Sequence, residues 1–244
     1  MLPKIDVPIY EITLPLSEQI IKIRPFLVKE EKILLMAMES DDDDAILLAI
    51  KQIINNCCVE ELDINKIPIV DLEYLFLQLR SRSIGEVIEL QYICNNNVKD
   101  GDTNEDKKCS NVVKLEFNAL EIKPEFSGNH DKKIQLTENL GVVMKYPDFK
   151  LVEKIKNLND TDALVKTIIN CIDYIYDKDT VYYTKDIKEK EVEDFVDSLT
   201  HDQFQKIENF FNNIPKITKK LDFKCNRCGY HEEILLDGIQ SFFG

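Results

Sequence analysis

A chain of 244 residues can bury a sizeable core, and its formal charge of −14 offers no continuous positive face to a nucleic acid. Seven cysteines, an odd number, argue against a disulfide framework and for a reducing cytosol. No apolar run reaches membrane-spanning length and the N-terminus carries no apolar cleavable leader, so a soluble protein with no membrane partner is expected.

Tyr10 to Leu14 and Ile20 to Arg24, separated by Pro15 and a polar turn, read as two short strands. Pro25 ends the pair and fixes the backbone at a junction where Phe26 and Leu27 are expected to anchor the turn in the core. Val28, Ile33, Leu34, Leu35, Met36 and Met38 suit a helix from Leu27 to Glu39. The run Asp41 to Asp44 stands just before Ala45 to Ile50, so its carboxylates read as helix caps rather than a cation site, on a helix reaching about Asn55. A third helix runs from Pro68 through Arg82, with Leu72, Leu75, Phe76 and Leu79 on one face.

The period then changes to that of strands. Val87, Ile88, Leu90, Tyr92 and Ile93 lead to Cys94, and Val112, Val113, Leu115, Phe117, Leu120 and Ile122 follow Cys109, as a β-hairpin with a long polar tip from Asn95 to Lys108. Ser127 to Asp131 read as a turn, followed by short strands from Lys133 to Leu136 and Gly141 to Tyr146. Helices are expected from Phe149 to Leu158, from a cap at Asp160 or Thr161 through Ile175, from Lys188 to Leu199, and from His201 to Asn212 behind a Thr200 cap. Past Pro215 one strand enters Phe223-Lys224-Cys225-Asn226-Arg227-Cys228-Gly229-Tyr230 and another, Glu232 to Leu236, leaves it.

The fold class is α+β, a mostly helical single domain with a small antiparallel sheet pinned by a split zinc ribbon. Its sub-regions are an N-terminal hairpin and helices (1–85), a β-hairpin region (86–146), a helical region (147–214) and a C-terminal zinc knuckle (215–244).

The chemistry sits in the cysteines. A Cys-x-x-Cys-Gly turn between two strands can aim two thiolates at one tetrahedral ion, with Gly229 supplying a positive φ. Two more soft donors are needed. A hairpin brings its stem ends together, so Cys94 and Cys109 join Cys225 and Cys228 as the expected ligands of one structural Zn2+, although the first pair lacks a contiguous Cys-x-x-Cys. Cys57, Cys58 and Cys171 lie in apolar helical patterns and read as small buried hydrophobes. His130, His201 and His231 are scattered, and with seven glycines the chain carries no phosphate loop, so no catalytic or cofactor-binding residue is assigned. Lys216, Lys219, Lys220 and Lys224 interleave with apolar residues and read as a solvated strand face, which leaves nucleic acid without a binding surface.

Leu2-Pro3-Lys4-Ile5, Leu14-Pro15 and the segment Ile23-Arg24-Pro25-Phe26-Leu27-Val28-Lys29-Glu30-Glu31-Lys32-Ile33-Leu34-Leu35, together with Phe223-Lys224-Cys225 through Cys228-Gly229-Tyr230 and Gly238-Ile239-Gln240-Ser241-Phe242-Phe243, resemble the baseplate proteins of T4-like tailed bacteriophages, of the hub and hub-assembly class. The resemblance touches both ends of the chain, and the Arg-Pro-Phe-Leu-Val-Lys-Glu-Glu-Lys segment is its most specific part. It implies a non-enzymatic protein, hub subunit or assembly factor, whose partners are other baseplate proteins of hub or wedge. Its place would be the host cytoplasm during assembly or the tail baseplate of the virion. Two readings from other classes stand beside it, a zinc-ribbon protein of transcription or replication and a cytosolic enzyme with an unrecognised site.

Overall fold

Two short strands, β1 (Tyr10–Thr13) and β2 (Ile20–Ile23), pair antiparallel and bury Ile12 and Ile23. The computed structural model describes residues 6–40, 42–99, 106–126, 128, 130–155, 158–238 and 241. Several sequence expectations lie outside these residues: the opening Leu2 to Ile5, Asp41, the hairpin tip from Asp100, Ser127 and Asn129, and most of the closing segment from Ile239.

Helix α1 (Val28–Glu39) packs on α2 (Asp43–Cys57), with Leu34 and Ala37 of the first and Ile50, Ile53 and Ile54 of the second buried. The acidic run does cap α2: the Asp42 carboxylate accepts from the Asp44 N–H at 3.0 Å. The junction before α1 differs from expectation. Phe26 is half-buried against Phe76, with ring centroids 5.9 Å apart, but Leu27 stays exposed because the chain is held there by polar groups instead.

Those groups are Arg24 and Glu30. Glu30 is fully buried, and its carboxylate accepts from Arg24 Nη2 at 3.0 Å and from the Leu27 N–H at 2.9 Å. Arg24 also donates to the Asn56 carbonyl at 2.8 Å, at the negative end of α2, and its backbone N–H bonds to the Cys57 carbonyl. Burial opposes ionisation of Glu30, yet the guanidinium, the Leu27 N–H and the Lys29 ammonium hold its carboxyl below the usual range. One ion pair thus clasps β2, the start of α1 and the end of α2.

Helix α3 (Ile69–Ser83) follows, with Leu72, Leu75, Phe76 and Leu79 buried as the pattern requires. β3 (Val87–Ile93) leads to the hairpin. Its tip is not a plain loop: β4 (Asn97–Lys99) and β5 (Asp106–Lys108) pair as a small sheet of their own before β6 (Val112–Asn118) returns along β3. β6 stops short of the expected Ile122, because the Asn118 side chain accepts from the Leu120 N–H at 2.9 Å and folds Ala119–Glu121 into a 3-10 turn.

β7 (Lys133–Gln135), β8 (Gly141–Met144), α4 (Phe149–Ile155) and α5 (Asp160–Cys171) come next. The α5 cap is Asn159, which accepts from the Asp162 N–H at 2.9 Å, and the helix does not continue to Ile175. Ile172-Asp173-Tyr174-Ile175-Tyr176 is instead β9 (Ile172–Tyr176), flanked by β8 and β10 (Val181–Tyr183) in an antiparallel sheet ordered β10-β9-β8-β7. Its β-branched and aromatic residues favour a strand, and Gly141 makes room for it: a Cβ there would collide with the Tyr176 ring and the Ile134 carbonyl. α6 (Glu189–Asp197) and α7 (His201–Asn212) follow, the latter capped by Thr200 as expected.

β11 (Thr218–Lys224) and β12 (His231–Asp237) form the last hairpin. Lys220 meets Glu233 and Lys216 meets Asp237 across it, so part of the lysine row is matched by carboxylates on the neighbouring strand. Contacts gather the chain into two compact units, Met1–Leu62 with Glu73–Pro124 and Lys216–Gly244, and Asp63–Leu72 with Glu125–Pro215. Among the described residues the class is α+β with antiparallel pairing, but the expected small sheet is in fact four separate two-stranded ribbons and one four-stranded sheet.

Candidate metal centre

The first unit carries both cysteine-bearing hairpins. β11 and β12 stay in register to the pair Lys224–His231, so the next residues, Cys225 to Tyr230, must turn tightly. The Cys225 N–H donates to the Tyr230 carbonyl at 2.8 Å, the Gly229 N–H donates to the Cys225 carbonyl at 2.9 Å, and Gly229 takes φ 74°.

The other hairpin repeats both of these backbone hydrogen bonds. β3 and β6 stay in register to Ile93–Val112; beyond them the Cys94 N–H donates to the Asn111 carbonyl at 2.9 Å and the Ser110 N–H to the Cys94 carbonyl at 2.9 Å, with Ser110 at φ 50°. Cys94 therefore matches Cys225, Cys109 matches Cys228, and Ser110 matches Gly229. The β4–β5 ribbon is spliced into the middle, and the Cys109 N–H closes the splice by donating to the Asn96 carbonyl at 2.8 Å. With residues 97–108 set aside the sequence reads Cys94-Asn95-Asn96-Cys109-Ser110, a knuckle with serine in the glycine position.

The two knuckles face each other. Cys94 Sγ lies 3.7 Å from Cys228 Sγ and Cys109 Sγ 3.7 Å from Cys225 Sγ, and all four sulfurs fall within 4.8 Å of one another. A disulfide needs about 2.05 Å, so these are four thiols converging on a point. Cys94, Cys109 and Cys225 are buried with Phe223, under Tyr92 and Tyr230, whose rings each sit 6.4 Å from that of Phe223. Amides from the first knuckle cross to the second: Asn96 Nδ2 donates to Cys228 Sγ at 3.7 Å and Asn111 Nδ2 to Cys225 Sγ at 3.6 Å. Arg227 Nη1 returns to the Cys109 carbonyl at 3.3 Å.

This environment splits the thiols. Burial opposes charge on Cys225, but the N–H groups of Cys228 and Arg227 and the thiols of Cys228 and Cys109 bring it down to about 6. Burial pushes Cys94 up to about 12 and raises Cys109 as well. Such a set of soft, buried, closely spaced donors can hold a thiophilic cation or remain as mutually hydrogen-bonded thiols.

The structure thus brings together all four residues that the sequence singled out. It also shows three that the sequence reading passed over, Asn96, Ser110 and Asn111, hidden because the β4–β5 insertion breaks the Cys-x-x-Cys spacing. The remaining cysteines are buried or half-buried, with burial pushing Cys57 and Cys171 up to about 12 and Cys58 up to about 11, the wrong direction for a nucleophile. The histidines do not converge: His130 packs on Phe126, His201 opens α7, and His231 meets Asp222 across the last hairpin at 3.0 Å. Among the described residues no helix is long and apolar enough to cross a membrane.

No solved structure matches the chain. The baseplate hub assembly protein gp26 of Enterobacteria phage T4 is 23% identical over 235 residues, covering 96% of this chain and 97% of its own length. The family model described as T4 bacteriophage base plate protein matches residues 7–244. The chain belongs to the T4 bacteriophage base plate protein family.

Proposed function

We propose that this protein works in assembling the hub of a T4-type baseplate, by contact with other baseplate proteins of hub or wedge and without catalysis. The observation that carries the reading is coverage. A relative named for hub assembly aligns with 96% of this chain and 97% of its own length, so the likeness extends well beyond the cysteine motif. The separated histidines and the raised pKa values of Cys57, Cys58 and Cys171 favour a protein whose product is a contact. Assembly of this kind takes place in the host cytoplasm, and the finished location is the tail baseplate.

Cys94, Cys109, Cys225 and Cys228 hold a structural Zn2+ in this reading. A zinc–thiolate bond of about 2.3 Å puts the sulfurs of a tetrahedron about 3.8 Å apart; two pairs here are at 3.7 Å and all four sulfurs lie within 4.8 Å of one another. Four thiolates close the coordination shell and leave no position for a reacting water, so the ion serves the fold. The test of the function is co-expression with the hub and wedge proteins of the same phage. Co-purification with a hub component supports it; no co-purifying partner, together with normal baseplates when the gene is disabled, overturns it.

A further inference from the structure

The two asparagine amides that cross between the knuckles invite a closer look. Each comes from the first knuckle and reaches a sulfur of the second, Asn96 to Cys228 and Asn111 to Cys225. Neither asparagine is a ligand, and neither lies beside its target in sequence. Asn111 is further fixed by a 2.7 Å bond from the same nitrogen to Asn226 Oδ1, which sits between the two cysteines of the second knuckle. In this geometry the Asn111 amide nitrogen faces two acceptors at once, the Cys225 sulfur and Asn226 Oδ1.

We infer that Asn96 and Asn111 are positioning residues of the metal centre. They draw charge from the sulfurs of Cys228 and Cys225 and set the register of one hairpin against the other before any ion arrives. The inference rests on the metal reading above and deepens it. A site of four thiolates around a divalent ion carries a net charge of about −2, and in a chain of net charge −14 that excess is not relieved by the general field. Local donors must relieve it. Hydrogen bonds to ligand atoms raise metal affinity about 10- to 100-fold in comparable sites, and here two neutral amides supply them from the opposite hairpin, where they also resist the knuckles drifting apart.

The experiment is a Co2+ titration of the full chain, read by the thiolate charge-transfer and ligand-field bands, followed by Zn2+ competition with a chromophoric chelator. Wild type is compared with Asn96→Ala, Asn111→Ala, Asn111→Asp and, as a control of the same residue type with an exposed side chain, Asn95→Ala. Asn111→Asp keeps the shape but turns a carboxylate oxygen toward the sulfur, so it should weaken binding most. The expected result is a loss of about 10- to 100-fold for the Asn96 and Asn111 variants, altered charge-transfer bands, and an unchanged Asn95→Ala. Circular dichroism of each metal-loaded variant separates weak binding from misfolding. Wild type that shows no cobalt bands overturns the metal reading and this inference with it. Wild type that binds alongside Asn111→Ala and Asn111→Asp of unchanged affinity overturns the inference alone.

Discussion

Two buried polar junctions hold distant parts of the first unit together, and they are solved differently. At the Arg24–Glu30 clasp the charge balances within the protein: a buried carboxylate meets a guanidinium, an ammonium and a backbone N–H, and the guanidinium spends its remaining donors on carbonyls. At the cysteine junction the sulfurs are met by each other and by neutral amide N–H groups. Ionising all four there would leave negative charge without a counter-ion in a buried place. A junction complete in itself explains local structure, whereas four gathered sulfurs are the donor set of the metal site proposed above.

The largest expected effect breaks the second junction. Structural zinc supplies apparent binding energies of about 10–16 kcal/mol in small domains, comparable with the whole stability of about 5–15 kcal/mol of an ordinary fold. Elemental analysis is expected to find one zinc in wild type, and Cys225→Ser, Cys228→Ser, Cys94→Ser and Cys109→Ser should each abolish it and sharply lower the melting temperature. Cys171→Ser, outside the cluster, should keep its metal. Freshly purified, reduced wild type without metal would remove the contrast between the junctions altogether.

Breaking the clasp should cost less but still be severe. Glu30→Ala strands Arg24 beside the end of α2, and removing one partner of a buried pair typically costs about 3–5 kcal/mol; denaturant unfolding measures it. The sign of the pH dependence follows from the lowered Glu30 value. A carboxyl whose folded pKa lies below its unfolded one contributes stability that is fully present above the unfolded value, about 4.3, and is lost as pH falls through the folded value. Wild type should therefore lose stability in acid more steeply than Glu30→Gln. Equal acid slopes would mean that the clasp contributes no linkage.

The contrast also explains what the sequence made legible. The four clustered cysteines could be named because a Cys-x-x-Cys-Gly turn between strands and the stem ends of a hairpin are both visible in the sequence. Glu30 could not be singled out, since on a helical wheel it looks like any first-turn carboxylate, and only the return of α2 to Arg24 buries it. Long periodic helices such as α1, α3 and α7 were placed to within a residue or so. Ile172–Tyr176 was misread because an apolar run continuous with a helix carries no boundary of its own, and the sheet partner that ends α5, β8, lies elsewhere in the chain. The β4–β5 ribbon was missed because three-residue polar strands have almost no pattern to show.

A smaller effect sharpens the comparison between the two knuckles. If β4–β5 is an insertion in an otherwise ordinary knuckle, joining Asn96 directly to Cys109 should keep the metal. The Asn96 carbonyl is already 2.8 Å from the Cys109 N–H, so the ends to be joined are neighbours. Removing residues 97–108 takes the Val98 side chain away from the cluster but shortens a loop, and shortening changes closure entropy by only about 0.6 kcal/mol per halving. Stability should shift by about 1 kcal/mol, with the cobalt spectrum preserved. Loss of the spectrum would show that the ribbon is part of the metal fold itself.

The smallest effect concerns the position where the knuckles place serine and glycine in the same left-handed backbone. Gly229 at φ 74° and Ser110 at φ 50° both lie in the left-handed region, which costs a residue with a Cβ roughly 1–2 kcal/mol and glycine almost nothing. Glycine in exchange has more freedom to lose from the unfolded chain, so the two terms partly cancel. Gly229→Ala meets open space around its added Cβ, so the backbone term alone decides and a loss of about 1 kcal/mol is expected. Ser110→Gly runs the other way. Its hydroxyl reaches the Lys108 carbonyl only at 3.5 Å and is exposed, so little is lost with the side chain and a gain of up to about 1 kcal/mol should appear in denaturant unfolding of the metal-loaded protein. Opposite signs at the two sites would support one backbone motif built twice. A destabilising Ser110→Gly would mean that the serine is held by something the shared motif does not contain, and the equivalence of the two turns would fail there.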